Sequence, residues 1–215
     1  MQNGVINTCL LSTAYFPPIE YFIAIVNSNA TLIELEETYQ KQSYRTRCHI
    51  NSGNGLLVLT VPVLRDKGDH KIPIKEIKID YSKPWILQHK RAIEAAYMSS
   101  PFFEYYVDDI FPILDKKEPS LFNLNSSIIS AIISLIGLKN NISFTDNYIK
   151  TQNEGILDLR EQIHPKHRGA SLLQKMEIEK PYYQVFTNKQ GFIPNLSILD
   201  LLFNEGPNSI SFLKR

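Results

Sequence analysis

The stretch VINTCLLSTAYFPPIEYFIAIVNSNATLIELEE, residues 5–37, decides the fold class of this chain. Its first eight residues, VINTCLLS, form a short apolar run that is typical of a buried strand. Apolar residues then recur at helical spacing over about residues 19–28, at Ile19, Phe22, Ile23 and Val26. TLIELEE, residues 31–37, alternates as a half-buried strand does. A strand, a helix and a strand within about 30 residues predict a parallel βαβ unit.

A basic segment follows this unit, QKQSYRTRCHIN at residues 40–51, in a chain whose formal net charge is only +1. No Asp or Glu occurs between Glu37 and Asp66. The basic residues in that gap are Lys41, Arg45, Arg47, His49 and Arg65. Because side chains alternate between the faces of a strand, a strand here carries Arg45 and Arg47 on the same face. Two guanidinium groups on one face suit a phosphate or a carboxylate, and the alternative is an exposed, solvated strand face.

Turn and strand signals continue beyond the basic segment. NSGNG at residues 51–55 predicts a turn, and LLVLTVPV at residues 56–63 predicts the return strand of a β-hairpin. IKEIKID at residues 74–80, preceded by Pro73, predicts a further strand at an edge of the sheet. The first third of the chain therefore combines a parallel unit with an antiparallel hairpin.

The middle and the end of the chain favour helices. Three helices are predicted in the middle, over residues 83–98, 100–111 and about 120–136. Asn195 is a favourable N-cap for a last helix, which ends at Gly206. Residues 155–177 combine a short helix with a basic loop. The chain is therefore predicted to be α/β, with an N-terminal βαβ unit in a mixed sheet with a β-hairpin. A mainly helical C-terminal half follows, and residues 1–215 are expected to form one domain.

Composition and charge argue against several classes of function. Lys and Arg number 23 against 22 for Asp and Glu, which argues against nucleic acid as the main partner. The most apolar segment, SSIISAIISLIGL at residues 126–138, is shorter than the roughly 20 residues that a bilayer crossing needs, so no membrane span is expected. The N-terminus has no signal-peptide pattern, and Cys9 and Cys48 lie in apolar runs that are typical of buried thiols. These features predict a cytoplasmic protein.

Sequence motifs of the common enzyme classes are absent. The chain contains no GxSxG, no GxxxxGK[ST], no GxGxxG and no HExxH. His164 and His167 are spaced for a metal ion, but no second pair of ligands with a known spacing accompanies them. We therefore expect neither a metal nor a cofactor.

Two further polar positions interrupt apolar helices. In LSILDLLFN at residues 196–204, Ser197, Asp200 and Asn204 share one narrow stripe of an otherwise apolar helix. Because burial of an unpartnered carboxylate is costly, Asp200 is either a structural ion pair or a catalytic carboxylate. His89 lies on the apolar stripe of its own helix and is interpreted as a core histidine, unless it faces the same cleft as the arginines.

Basic residues also cluster in DLREQIHPKHR, residues 158–168. They are Arg160, His164, Lys166, His167 and Arg168. The cluster is either a loop that closes over an anionic ligand or an ordinary exposed loop.

Several of these segments, taken in order, resemble the WbqC-like protein family. They are YFPPIEYF, a K-x-S-[YW]-R-x-R segment, LTVPV, W-x3-H-x3-I-x3-Y and GFIPNLSILDLLFNEGP. The resemblance runs over about residues 8–210 and is greatest to the shorter members common in Bacteroidetes-type bacteria. Its most specific parts are GFIPNLSILDLLFNEGP and the segment from Lys41 to Arg47.

The resemblance implies a cytoplasmic bacterial protein of surface-polysaccharide biosynthesis, for O-antigen or capsule. It also implies a group transferase that attaches an acyl or aminoacyl group to a nucleotide-linked aminosugar. The alternative is a non-catalytic protein that binds a sugar nucleotide or scaffolds a polysaccharide enzyme. The strand-turn-helix start is also loosely similar to nucleotidyltransferases with a His-x-Gly-His turn, but this turn contains no histidine.

We expect the site at the carboxyl ends of the first parallel strands, where open α/β sheets bind ligands. His89 or Asp200 is the predicted catalytic base. The predicted substrate-binding and phosphate-binding residues, most of them at motif positions of the family, are Tyr15, Pro17, Tyr21, Lys41, Tyr44, Arg45, Arg47, Arg160, His164, Lys166, Asn195 and Asn204. The predicted ligand is a small anion such as a sugar nucleotide, and a homodimer is compatible with this prediction.

Overall fold

The βαβ unit forms as its sequence pattern predicts. The computed structural model describes residues 6–64, 71–138, 142–150 and 155–215. Strand β1 spans Ile6–Ser12, helix α1 spans Ile19–Val26 and strand β2 spans Ser28–Glu34. The two strands pair in parallel, with Leu10 opposite Leu32. Val5 and Arg65, which belong to the patterns above, lie outside the described residues.

The unit is the centre of a four-stranded parallel sheet. Two short strands extend it: β5 at Ile142–Phe144 pairs with β2, and β6 at Ile156–Asp158 pairs with β1. The strand order is β5-β2-β1-β6, so the chain leaves β1 for one side of the sheet and later returns to its other side. All four carboxyl ends lie along one edge, and the order changes direction between β1 and β6. Open α/β sheets bind ligands at such a point.

Helices make up most of the C-terminal half. They are α2 at Trp85–Tyr97, α3 at Phe103–Asp115, α4 at Leu121–Leu135, α5 at Leu172–Met176, α6 at Thr187–Gln190, α7 at Ile198–Glu205 and α8 at Ser209–Leu213. The three predicted middle helices are confirmed, although α3 continues beyond its predicted end at residue 111. The α/β class with a mainly helical C-terminal half is therefore confirmed.

The predicted hairpin is also confirmed, as a two-stranded sheet of its own. It consists of β3 at Arg47–Ser52 and β4 at Gly55–Thr60, paired antiparallel. Gly55 has a φ of 103°, a left-handed conformation that glycine adopts without the steric cost of a side chain. The hairpin packs against α2 and α7, which places the basic segment between the parallel sheet and the helical half.

The predicted strand over residues 74–80 is wrong. Ile74–Glu76 is a 3-10 turn, and Lys78 and Ile79 form only isolated bridges with other segments. The buried residues Ile74 and Ile77 are three positions apart. That spacing suits a 3-10 turn rather than the two-residue alternation of a strand.

The predicted N-cap of the last helix is also wrong. Helix α7 is capped by Ser197, whose Oγ accepts a hydrogen bond from the backbone N–H of Leu199 (3.4 Å). Asn195 instead has a positive φ of 54° and pairs with Glu20. Its Nδ2 donates to Glu20 Oε1 (2.8 Å), and its Oδ1 accepts from the Glu20 backbone N–H (3.0 Å). Asn195 therefore joins the start of α1 to the chain before α7.

The core contains the positions that the sequence pattern makes apolar. Helices α1 and α7 are buried at nearly every residue. Cys9 and Cys48 are buried free thiols, as predicted. Among the described residues, no helix has both the length and the hydropathy that a membrane crossing requires.

Candidate functional site at the carboxyl edge of the parallel sheet

Three strands of the parallel sheet end in a polar or acidic side chain at the same edge. These side chains belong to Ser12 of β1, Glu34 of β2 and Asp158 of β6. The loops that follow β2 and β6 add Glu37 and Arg160. Residues that are distant in sequence meet here because parallel strands bring their carboxyl ends to one edge.

Arg45 is held at this edge by Glu37 and Ser12. Its Nε donates to Glu37 Oε1 (2.9 Å), and its Nη2 donates to Glu37 Oε2 and to Ser12 Oγ (2.8 Å). Ser12 Oγ in turn donates to Glu37 Oε2 (2.9 Å). Arg45 and Glu37 are 2% and 4% exposed, so they form a buried ion pair. Burial raises the pKa of the Glu37 carboxyl above its ordinary value, and the neighbouring Arg45 charge offsets only part of that rise.

Arg160 forms a second buried ion pair beside the first. Its Nη2 donates to Asp158 Oδ2 (2.6 Å), and its Nη1 donates to Glu34 Oε2 (3.0 Å). Glu34 also accepts a hydrogen bond from Thr145 Oγ1 (2.6 Å), which follows β5. The guanidinium carbon lies 4.7 Å from the ring centroid of Tyr148. This network therefore ties together the ends of three strands, β2, β5 and β6.

A cleft opens over the two ion pairs, and we name it the strand-end cleft. Its volume is about 620 Å³, and it is lined by Glu36, Glu37, Thr38, Tyr39, Gln40, Lys71, Tyr148, Asp158, Arg160 and Glu161. Acidic side chains outnumber basic ones in this lining. Carboxylates accept hydrogen bonds from hydroxyl groups and pair with ammonium groups, so the lining suits a hydroxylated or cationic ligand part.

The predicted arrangement of Arg45 and Arg47 is wrong. Residues 41–46 form a turn and β3 begins only at Arg47, so the two arginines do not share a strand face. Gln42 has a φ of 60°, which lies outside the strand region. Arg45 points to Glu37, whereas Nε of Arg47 is buried without a hydrogen-bond partner among the described residues. Of the basic residues in this segment, Arg45 is opposed by Glu37, the acidic residue that precedes the gap.

His89 and Tyr15 form a separate buried contact. Tyr15 Oη and His89 Nδ1 are 2.9 Å apart, and the imidazole ring packs against Trp85 with 5.1 Å between the ring centroids. Burial lowers the pKa of His89 to about 4, which keeps the imidazole neutral near pH 7. Neither His89 nor Tyr15 is among the described residues that line the strand-end cleft. His89 therefore has the environment of a core histidine.

Asp200 lies in a third buried group, on α7. Its Oδ2 accepts hydrogen bonds from Tyr182 Oη (2.5 Å) and Gln184 Nε2 (2.8 Å), and the residue is 1% exposed. Burial raises the pKa of the Asp200 carboxyl to about 6. Asn204 donates to the backbone carbonyl of Asp200 (2.7 Å). Among the described residues Asp200 therefore has neutral side-chain donors, and not the cation that the predicted ion pair requires.

Tyr21, Tyr44 and Pro17, which were also predicted as site residues, make structural contacts. Tyr21 Oη donates to the backbone carbonyl of Ser12 (2.9 Å), directly below the Arg45 network. Tyr44 is buried, with its ring centroid 5.4 Å from that of His49. The carbonyl of Pro17 accepts from the backbone N–H of Ile198 (2.8 Å), so it joins the first loop to α7.

The basic loop lies against the turn of the basic segment. Lys166 Nζ donates to Gln42 Oε1, and His164 Nδ1 accepts from the backbone N–H of Lys166 (3.1 Å). Gln40 Nε2 donates to Glu161 Oε1 (2.7 Å) across the same boundary. The loop therefore borders the strand-end cleft, and its movement as a lid stays a prediction.

Sequence analysis missed the acidic half of this site. Glu34 and Glu37 lie in the run ELEE at the end of the second predicted strand, and Ser12 is the polar residue that ends the first. Polar residues that directly follow an apolar strand are the available signal, because such positions reach the carboxyl edge of a parallel sheet. Asp158 carried no such signal, since the three-residue strand β6 was not predicted.

Comparisons with known proteins agree with the family resemblance. The model of the WbqC-like protein family matches residues 13–168 and 167–212. The chain is also similar to Uncharacterized protein Rv1507c of Mycobacterium tuberculosis (strain ATCC 25618 / H37Rv), with 27% identity over 224 residues, 95% of this chain and 96% of the relative. No solved structure matches the chain.

Proposed function

The chain belongs to the WbqC-like protein family, and from this premise we propose that it is a cytoplasmic transferase of surface-polysaccharide biosynthesis. It transfers an acyl or aminoacyl group to the amine of a nucleotide-linked aminosugar. The observation that carries the proposal is the strand-end cleft, which lies at the carboxyl edge of the parallel sheet and is lined by four acidic and two basic side chains. Residues 1–215 act in this proposal as one domain.

The acidic lining supports an aminosugar as the bound group. An aminosugar offers several hydroxyl donors and an amine that is cationic when protonated, and carboxylates bind both. Tyr39 and Tyr148 add ring surface to the same cleft. A volume of about 620 Å³ lies within the range that small-molecule sites occupy.

Lysines, and not the predicted arginines, are the proposed partners of the phosphates. The guanidinium groups of Arg45 and Arg160 already donate to buried carboxylates. Lys71 lines the cleft, and Lys166 donates to Gln42 in the turn that follows the cleft residue Gln40. Lys41 is an exposed residue of that turn, and within the described ranges none of the three lysines forms an ion pair. Lysine binds phosphate as a mobile point charge, so these side chains can adapt to a pyrophosphate.

The acceptor amine must lose a proton to attack an acyl group, and a cleft carboxylate is the proposed base. Glu161 borders the cleft and accepts one hydrogen bond, from Gln40 (2.7 Å). His89 and Asp200, the bases predicted from sequence, are enclosed in other parts of the core. We therefore assign the proton transfer to the cleft and assign structural roles to these two residues.

Calorimetric titration tests the proposal with two sugar nucleotides that differ in one group. UDP-glucosamine, with a free amine, is expected to bind about tenfold more tightly than UDP-glucose, because one charge-assisted hydrogen bond contributes about 1.5–3 kcal/mol. Glu161→Gln is expected to remove most of that preference, and Lys71→Ala to weaken both ligands. Lys214→Ala, at an exposed lysine near the C-terminus, is the matched control.

Equal affinity for the two sugar nucleotides would contradict the aminosugar assignment. Turnover separates a transferase from the alternative, a non-catalytic sugar-nucleotide-binding or scaffold protein. A transferase produces an amide product from an activated acyl donor, whereas a binding protein is stabilised by the sugar nucleotide and yields no product.

A further inference from the structure

Ser12 bridges the buried ion pair at the carboxyl edge of the sheet, with its hydroxyl directed to a carboxylate. It is the last residue of β1, it is half-buried, and it lies at the carboxyl edge of the sheet. Its Oγ donates to Glu37 Oε2 (2.9 Å) and accepts from Arg45 Nη2 (2.8 Å). A hydroxyl with its proton directed to a carboxylate, and that carboxylate oriented by a third group, is the arrangement of an activated nucleophile.

A small pit adjoins this hydroxyl, and its lining includes further polar residues. Its volume is about 10 Å³, and its lining includes Ser12, Thr13, Tyr44, Arg45 and Arg160. A space of this size holds about one water-sized atom. Thr13 Oγ1 is 1% exposed and has no hydrogen-bond partner among the described residues. The pit therefore has room for a single oxygen atom, and its lining includes Thr13, whose hydroxyl has no hydrogen-bond partner among the described residues.

We propose that Ser12 is the nucleophile that receives the acyl group before its transfer to the acceptor. The proposal rests on the proposed transferase function and specifies its mechanism. Glu37 is the base for the Ser12 hydroxyl, and Arg45 is a positioning residue that holds both groups. The pit accommodates the carbonyl oxygen of the acyl group, where Thr13 Oγ1 donates to it.

The reaction balances without an oxidant or a reductant. Ser12 Oγ attacks the carbonyl carbon of an activated ester or thioester, and the Ser12 proton moves to the Glu37 carboxylate. The bond between the carbonyl carbon and the leaving group breaks, and the leaving group takes that proton. The acceptor amine then attacks the carbonyl carbon of the acyl-serine ester, the bond from that carbon to Ser12 Oγ breaks, and an amide forms. The proton that the amine loses passes to Ser12 Oγ. The donor leaving group and the new amide are the only products.

The environment of Glu37 is consistent with this role. Burial raises the pKa of its carboxyl, which makes the carboxylate a better proton acceptor than an exposed glutamate. The groups that face it are the guanidinium of Arg45 and the hydroxyl of Ser12, and Arg160 and the Tyr21 hydroxyl also interact with it electrostatically. Acylation should therefore accelerate as pH rises through the pKa of Glu37, above the ordinary range of a glutamate.

Mass spectrometry after brief exposure to p-nitrophenyl acetate tests the proposal. The first Lys or Arg of the chain is Lys41, so trypsin releases residues 1–41 as one peptide, in which fragmentation locates an acetyl group. We expect one acetyl group at Ser12, absent in Ser12→Ala and retained in Ser28→Ala. Ser28 is the matched control, since it begins β2 at the opposite edge of the sheet and its hydroxyl donates to the backbone carbonyl of Ala24 (2.6 Å).

Glu37→Gln is expected to slow acetylation by about 100-fold, the usual contribution of a general base. If this variant fails to fold because Arg45 loses its counter-charge, the pH profile of the wild-type protein still tests the base. Acetylation that does not depend on pH, or an unmodified Ser12 in the folded wild-type protein, overturns the proposal.

Sugar-nucleotide binding is measured in the same samples. Intact binding with an unmodified Ser12 refutes only the serine intermediate, whereas acetylation of Ser12 without binding refutes only the aminosugar acceptor.

Discussion

Two buried carboxyl groups of this chain, those of Glu37 and Asp200, differ in the charge of their hydrogen-bond partners. Glu37 lies at the carboxyl edge of the sheet, where it pairs with Arg45 and accepts from Ser12 beside an open cleft. Asp200 lies within the helical half, where only neutral groups such as Tyr182 and Gln184 donate to it. Both regions bury a carboxyl, but only the first also buries a full counter-charge.

The difference separates a region that suits chemistry from one that suits packing. Burial raises the pKa of both carboxyls, to about 6 for Asp200. The charge of Arg45 offsets part of that rise for Glu37, which also faces the cleft, whereas the side-chain donors to Asp200 among the described residues are neutral. The edge of the sheet is therefore the better candidate for a reaction site, although family motifs cover both regions.

Removal of Arg45, the counter-charge of Glu37, should cause the largest loss of stability among these variants. Arg45→Ala leaves Glu37 buried without a cation, and we expect a loss of about 3–5 kcal/mol in the free energy of unfolding. Urea denaturation measures this loss. Lys90→Ala is the control, because its ion pair with Asp115 is partly exposed (side chains 23% and 54% exposed) and should contribute under about 1 kcal/mol. Equal losses in the two variants would contradict a special role of the buried pair.

Replacement of the Asp200 carboxyl by a neutral amide should change how the stability of the protein depends on pH. Asp200 has a folded-state pKa of about 6, above its ordinary value of 3.8, so the folded state binds the proton more tightly. Its contribution to stability is fully present below the ordinary pKa and is lost as pH rises through about 6. Asp200→Asn cannot lose a proton, so it should gain about 1–3 kcal/mol relative to the wild type between pH 4 and pH 7.

Urea denaturation at a series of pH values measures this difference. A constant difference between Asp200→Asn and the wild type would show that the Asp200 carboxyl does not titrate in that range. Tyr182→Phe is a useful companion variant, because it removes one of the donors and should raise the pKa of Asp200 further.

Loss of the serine hydroxyl should have the smallest effect on stability. Ser12→Ala leaves the ion pair between Arg45 and Glu37 intact and removes one hydroxyl, so we expect a loss of about 1 kcal/mol or less. Thermal denaturation measures it. A loss as large as that of Arg45→Ala would mean that Ser12 is needed for the fold, and the comparison between a reactive edge and a structural cluster would then lose its basis.

The regular elements could largely be predicted because their signals are local. The strand, helix and strand of residues 5–37 each show their own period, and the hairpin turn has a glycine where the backbone requires a positive φ. The 3-10 turn at Ile74–Glu76 was missed because three apolar residues in a short segment fit a strand almost as well. Short elements contain too few repeats of any period to be distinguished.

The sequence predicted the edge of the sheet at which the candidate site is proposed and some of the residues that lie there, but not its acidic residues. The carboxyl edge of the first strands follows from a parallel unit, and Tyr21, Tyr44 and Arg45 do lie there. The family motif positions His89, Asn195 and Asp200 lie elsewhere in the core. A family motif can contain residues that are needed for hydrogen bonds within the fold rather than for ligand binding, and these three residues form such bonds.

The sequence by itself determined the elements of this protein, since the periods of 2 and 3.6 residues are properties of the local chain. It also placed an unusual density of positive charge at residues 40–51. Only the tertiary structure decided that Arg45 meets Glu37 and Ser12, and that Arg160 meets Glu34. These contacts depend on the order β5-β2-β1-β6, which brings separate strand ends to one edge, and on a turn at residues 41–46 that reverses the direction of Arg45. The charge of a residue can be read from the sequence, but whether that charge pairs with a ligand or with another residue depends on the side chains that the fold places beside it.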